Sequence, residues 1–169
     1  FMTLQRIKEL VQNEGLTFNE AVETVKAGSF FTTHTPVPAG NDMFEPALMS
    51  KYFSKYCRDV GISLDRLLAL GRQNPYDQHE LFCMTVLALK LSAGANGVSQ
   101  LHGEVSRNMW ARTWPGVPVD EVPITSITNG IHTRSWISRD LADLYDRYLG
   151  PGWINSPDDQ SIWERIDEV

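Results

Sequence analysis

Phe30-Phe31-Thr32-Thr33-His34-Thr35-Pro36-Val37-Pro38-Ala39-Gly40-Asn41-Asp42 is the stretch on which the fold class turns. Ser29 to Thr33 is short, aromatic and β-prone, and predicts a buried strand. Residues 34–44 hold two prolines, a glycine and Asn41-Asp42, which predicts a long loop at the carboxyl end of that strand. In open α/β sheets ligands bind at the carboxyl ends of strands. The polar residues of this loop are therefore candidates for recognition.

Helical patterns flank the stretch. Leu4, Ile7, Leu10 and Val11 share one face and Gly15 ends it; Thr17 and Glu20 form a capping-box pattern before a second helix that closes at Gly28. Pro46 suits the first turn of a helix reaching about Asp59, with Leu48, Tyr52 and Tyr56 on one face. Ser63 caps the next. Leu81 to Leu91 is apolar on nearly all sides; periodicity leaves helix and strand open, and length favours helix. Ala93-Gly94-Ala95-Asn96-Gly97 has little bulk and allows close backbone approach. Val98 to Trp110 reads as a helix with Val98, Leu101, Val105 and Met109 in one stripe.

Ile124 to Thr128 predicts a second short strand, broken by Asn129-Gly130. Ser138 starts a helix ending at Gly150-Pro151-Gly152, and Asp158 or Asp159 starts a last one that runs on to Val169. Helix-rich segments joined by two strands make an α/β slice.

Composition excludes several classes. With 169 residues, 42% apolar and five Trp, the chain has the material for a packed core. Its 15 basic and 21 acidic residues give a net charge of −6 without a basic stripe, which argues against nucleic acid as a partner. The longest weakly polar run, Leu81 to Leu89, is about nine residues, short of the ~20 that span a bilayer. No secretory leader pattern opens the sequence, so no membrane and a cytoplasmic setting are expected. Cys57 and Cys83 read as buried thiols in a reducing compartment, with a single disulfide between them left open. His79-Glu80-Leu81-Phe82-Cys83 lacks the second histidine of a zinc helix, no Walker loop or dinucleotide glycine pattern occurs, and no metal site is expected.

The remaining candidates are ambiguous residue by residue. His34 has a donor and an acceptor suited to a sugar hydroxyl, or is held by loop backbone. Asn129-Gly130 and Asn96-Gly97 offer amides at breaks in the chain, or are simple turns. His102 lies beside an apolar stripe and reads as a satisfied structural histidine. Arg112 and Arg134 suit an anion or a solvated surface, Trp136 suits the core or stacking on a flat ligand, and Glu104 with Arg107 suits a helix-face pair.

Three islands together, in this order, carry a resemblance. Thr32-Thr33-His34-Thr35-Pro36-Val37-Pro38-Ala39-Gly40-Asn41-Asp42, Asn96-Gly97-Val98-Ser99-Gln100-Leu101-His102-Gly103-Glu104 and Thr128-Asn129-Gly130-Ile131 resemble the α-glucan (glycogen/maltodextrin) phosphorylase family, in its shorter bacterial and archaeal branch. Thr33 stands where the longer enzymes have Asn. The resemblance runs from about Leu16 to the end.

It implies a GT-B fold of two Rossmann-like domains, of which this chain is a mostly helical slice, incomplete on its own. Residues 1–128 would be the C-terminal part of the first domain, and 129–169 the crossing segment and start of the second. The implied reaction is reversible phosphorolysis of an α-1,4-glucan by phosphate to give α-glucose 1-phosphate, with pyridoxal phosphate as cofactor. His34 is implied to bind the glucosyl primary hydroxyl and to take part in catalysis through its carbonyl. Thr35 and Val98 would line the sugar pocket, Asn129 would bind the same hydroxyl, and Trp136 would wall the cofactor pocket.

No lysine follows Lys90, and nothing matches the family's cofactor-bearing lysine motif, so the chain alone is expected to be inactive. The alternative from another class is a non-catalytic carbohydrate-binding or assembly module. Apolar surface at Phe30-Phe31 and Leu81–Leu91 is expected to be exposed and to favour self-association.

Overall fold

The computed structural model describes residues 1–168, and its first helices begin and end where the local sequence dictates. Helix α1 (Met2–Glu14) stops at Gly15, whose φ of 69° is left-handed. Helix α2 (Phe18–Ala27) carries the full capping box: the Thr17 hydroxyl accepts from the Glu20 N–H, and the Glu20 carboxylate accepts from the Thr17 N–H at 2.8 Å. Helix α3 (Pro46–Val60) starts on proline and ends at left-handed Gly61, and α4 (Leu64–Leu70) is capped by Ser63.

Strands β1 (Phe30–Thr32), β4 (Gly94–Gly97) and β5 (Ile124–Ser126) form a parallel sheet in the order β1-β4-β5. Phe31 pairs with Ala95, and Asn96 pairs with Thr125. A second, antiparallel pair joins β2 (Met43–Phe44), inside the long loop, to β3 (Phe82–Cys83). Helix α5 (Met84–Lys90) follows β3 directly, and α6 (Gln100–Trp110) crosses from β4 to β5.

Two apolar clusters hold this frame. Leu4, Ile7, Phe18, Met49, Val60 and Leu67 join α1 to α4. Val86, Leu89, Ala95, Trp110 and Ile124 join α5 and α6 to the sheet. Because Leu87 and Leu91 face the first cluster and Val86 and Leu89 the second, α5 is apolar around its circumference. Lys8 on α1 and Lys55 on α3 both pair with Asp59, at 2.8 and 2.7 Å.

Several sequence expectations fail here. The low-bulk run holds the central strand β4, Gly94–Gly97, where no strand was expected. Gly94 lies under Phe30, where an added Cβ would come within 2.6 Å of the ring, so the close approach read from the sequence does occur. Strand β1 lies at the sheet edge, and Phe30 is exposed rather than buried. Leu81 to Leu91 splits into β3 and α5 and is largely buried, so it supplies no sticky surface.

The α6 stripe is displaced. Leu101 and Val105 are exposed, while His102, Gly103, Ser106 and Trp110 face inward. A Cβ on Gly97 would lie 2.7 Å from the Gly103 nitrogen, so the helix meets the sheet too closely for a leucine. On α3, Met49 and Cys57 are buried whereas Leu48 and Tyr52 are exposed. Arg107 does not pair with Glu104; its guanidinium donates to the Ile124 carbonyl at 3.0 Å. Both cysteines are buried and free, which closes the disulfide alternative.

The chain divides into two compact units, Phe1–Thr128 and Asn129–Val169. The second holds α7 (Thr133–Trp136), α8 (Arg139–Tyr148), α9 (Gly152–Asn155), α10 (Gln160–Trp163) and a 3-10 turn over Glu164–Glu168. Ser138 caps α8 and Asp159 caps α10. Buried Trp153 is its anchor: the ring packs edge-on to Tyr145 and its N–H donates to Asp146 at 2.9 Å. The helix expected to run on to Val169 ends at Trp163, and Val169 lies outside the described residues. No helix among the described residues is long and apolar enough to cross a membrane.

Candidate functional site

The parallel sheet puts the first two islands on one edge. His34 follows β1 by two residues and Val98 follows β4 by one, so both sit at the carboxyl ends of neighbouring strands. This edge is where α/β sheets bind ligands. A cavity of about 580 Å³ lined by Asn74, Tyr76, Arg112 and Trp114 lies elsewhere. Residues 111–117 lead into β5, which puts that cavity at the amino end of the strands.

Asn96 ties the two islands together. It is 2% exposed. Its Oδ1 accepts from the Thr32 hydroxyl at 2.9 Å, and its Nδ2 donates to the Gly97 carbonyl at 2.9 Å. Its own carbonyl accepts from the Thr33 N–H at 2.9 Å. The backbone entering His34 is thus fixed to β4 by two hydrogen bonds. Buried Thr33 ends this fixed part, and His34 is exposed to solvent.

The loop beyond is held by its own polar groups and by α5. The Thr35 hydroxyl accepts from the Val37 N–H at 3.1 Å. Asn41 is buried; its amide donates to the Val37 carbonyl, and its Oδ1 accepts from the Thr85 hydroxyl at 2.6 Å. Gly40 packs on Thr35, where an added Cβ would lie 2.5 Å from its methyl group. Thr35 is therefore half-buried and held in place, while His34 beside it is open.

Val98 is held from the other side. Its N–H donates to His102 Nδ1 at 3.2 Å, and the His102 N–H donates to the Ser99 hydroxyl at 3.1 Å. His102 is buried, as expected of a structural histidine, but only one ring nitrogen is satisfied: Nε2 has no partner among the described residues.

In the second unit, Asn129 and Gly130 are exposed and form no turn; Gly130 is not left-handed, and a Cβ there would meet nothing. Trp136, at the end of α7, is 84% exposed and is not part of a core. His132 Nδ1 lies 2.7 Å from the Ser135 hydroxyl. Among the described residues no group of three or more His, Cys, Asp and Glu is arranged to hold a metal ion.

Sequence reasoning missed Asn96 as the bond between the islands and His102 as the partner of the Val98 amide. The signal was present as a βαβ pattern, helix–strand–helix–strand over residues 84–126, which demands a strand between two helices whatever its propensity.

A helix-flanked parallel sheet with polar residues at its carboxyl edge defines an α/β protein of the class that binds ligands at that edge. The family model described as "Carbohydrate phosphorylase" matches residues 2–167. The chain belongs to the carbohydrate phosphorylase family. A maltodextrin phosphorylase of Thermococcus litoralis is 40% identical over 169 residues, which are 100% of this chain and 19% of that protein. A glycogen phosphorylase of Mycobacterium tuberculosis is 38% identical over 175 residues, covering 100% of this chain and 20% of that protein. One from Aquifex aeolicus is 37% identical over 170 residues, 100% of this chain and 24% of its own length. The chain thus spans about one fifth of these relatives.

Proposed function

We propose that this chain is a segment of an α-glucan phosphorylase and supplies glucosyl-recognition residues to the reaction of an α-1,4-glucan with phosphate. The family match over residues 2–167 favours this reading over the carbohydrate-binding or assembly module. The observation that carries it is the placement of His34 and Val98 at the carboxyl ends of two paired strands joined through Asn96. The parallel β4–α6–β5 crossover supports a Rossmann-like half of a GT-B fold. Residues 1–128 are read as the end of its first domain and 129–169 as the crossing and start of the second.

In this reading exposed His34 hydrogen-bonds the glucosyl primary hydroxyl, Thr35 and Val98 shape the pocket, and Asn129 is a further substrate-binding residue, as the resemblance implies. The His34 carbonyl stabilises positive charge developing on the sugar. Such a contact accelerates the reaction to the extent that it strengthens in the transition state. Substrate partners are the glucan, phosphate and glucose 1-phosphate. Free, buried Cys57 and Cys83 suit a reducing, cytoplasmic setting.

Pyridoxal phosphate, implied by the resemblance, would supply a phosphate group for proton transfer. The residues here do not fit its covalent anchor. No lysine follows Lys90, and the Lys90 ammonium donates to the Ala69 and Arg72 carbonyls at 2.9 and 2.5 Å. Lys8 and Lys55 are engaged with Asp59. Exposed Trp136 remains available as one wall of a cofactor pocket. The chain alone is therefore read as inactive. Exposed Phe30, Leu101 and Ile127 support its self-association; sedimentation showing only monomer at high concentration argues against that.

The test is a chimera. This chain replaces the matching segment of the Thermococcus litoralis enzyme, and release of glucose 1-phosphate is assayed. An active chimera whose His34→Ala variant loses about a hundredfold or more in kcat/KM supports the reading. A folded, active chimera indifferent to His34→Ala sinks it.

A further inference from the structure

We infer that His102 is a positioning residue whose Nδ1 holds the Val98 amide, and with it one lip of the sugar site, in place. The inference rests on the recognition site proposed above and adds a residue to it.

The tautomer follows from the hydrogen bond. A backbone amide only donates, so His102 Nδ1, at 3.2 Å from the Val98 nitrogen, is the acceptor and carries no proton. The ring is neutral with its proton on Nε2. That N–H is buried and has no partner among the described residues. A leucine of similar size would fill the space without burying an unpaired donor. What an imidazole adds at this position is the acceptor at Nδ1.

The location makes that acceptor consequential. Strand β4 ends at Gly97, and Val98 is the first residue past the ladder. The Gly97 carbonyl still accepts from the Ile127 N–H at 3.0 Å, so the sheet fixes the chain up to that point. Just beyond, the backbone turns into Ser99, the cap of α6, whose hydroxyl accepts from the His102 N–H. His102 therefore closes a ring of two bonds: its ring holds Val98, and its backbone is held by Ser99. The tight Gly97–Gly103 contact leaves this first turn no slack to shift toward the sheet. Removing Nδ1 frees the Val98 amide while leaving the sheet, the cap and the glycine contact intact.

Three substitutions separate the nitrogens. His102→Asn places Oδ1 near the former Nδ1 and keeps the acceptor. His102→Gln keeps a polar end near Nε2 and loses that acceptor. His102→Leu loses both. In the 169-residue chain, amide exchange of Val98 is measured by NMR, and release of glucose 1-phosphate is assayed in the chimera described above with each His102 variant. Exchange is expected to speed up about tenfold or more in the Gln and Leu variants and to stay within roughly threefold of wild type in the Asn variant, since a lost amide bond eases local opening. The ring nitrogens of His102 are expected to show the neutral form protonated at Nε2. An Asn variant that exchanges as fast as the Leu variant, or a ring protonated at Nδ1, overturns the positioning role. If Val98 exchange follows the expected order while the active chimera is indifferent to His34→Ala, the positioning role stands and the recognition site fails. If the chimera depends on His34 and the Leu variant matches wild type in both readouts, the site stands and the role of His102 fails.

Discussion

The Thr32 hydroxyl donates to Asn96 Oδ1 at 2.9 Å, across the β1–β4 pair and 64 residues apart in sequence. Each partner lies two residues before a predicted sugar contact, His34 just past β1 and Val98 just past β4. With the Thr33 N–H to Asn96 carbonyl bond and the strand ladder, this side-chain bond helps set the spacing of the two segments.

Replacing Asn96 by Ala removes that bond and the one to the Gly97 carbonyl, and leaves Thr32 Oγ1 without its acceptor. The expected loss is about 1–3 kcal/mol of stability, measured by urea denaturation of the chain. Thr32→Ala alone removes one bond and is expected to cost less. Equal effects from the two would show that Asn96 acts only through Thr32.

Gly97→Ala is expected to destabilise by about 1–3 kcal/mol, because the added methyl has nowhere to go but into the Gly103 backbone. Gly130→Ala meets open space and is expected to stay within about 0.5 kcal/mol of wild type. Thermal melts of both variants check the contrast.

Asp59 carries a pH signature. Hydrogen bonds from Lys55 and then Lys8 hold its carboxyl below the usual range, at about 2. A depressed carboxylate stabilises the fold above its unfolded value near 4, and that contribution fades as pH falls toward 2. Stability of wild type minus Asp59→Asn, followed from pH 7 down to pH 2, is expected to shrink across that window and to be smaller at high salt. A difference that is flat with pH contradicts the pairing.

Lys90 is expected to resist amine labelling. Burial lowers its pKa, which by itself would favour the reactive neutral amine, but its nitrogen is committed to two carbonyls. Treatment with pyridoxal phosphate and borohydride, read by peptide mass spectrometry, is expected to mark exposed Lys51 and leave Lys90 unmodified. Stoichiometric label on Lys90 would show that the chain does hold a cofactor anchor.

The two tryptophans of the second unit make a paired test. Trp153 is 1% exposed and Trp136 is 84% exposed. Trp153→Ala is expected to cost about 3–5 kcal/mol, against under about 0.5 for Trp136→Ala. Near-ultraviolet circular dichroism and denaturation of each variant decide it.

Local rules are legible in the chain before any folding is considered. Gly15 and Gly61 end helices because only a residue without Cβ takes a left-handed φ freely; Thr17, Ser63 and Ser138 cap because a side-chain oxygen there reaches a free N–H. The family, too, was carried by short motifs whose order and spacing survive in sequence. What stayed hidden is what depends on distant neighbours. Ala93 to Gly97 has poor strand propensity, and becomes the central strand because β1 and β5 pair with it on both sides. The inward faces of α3 and α6 differ from their most apolar stripes. On α6 the closeness set by Gly97 and Gly103 admits Ser106 and a hydrogen-bonded His102, and turns Leu101 outward. Hydrophobicity counts transfer from water, whereas burial is decided by the room between elements and by whether each polar group finds a partner. Those two quantities exist only once the sheet and its helices are in place.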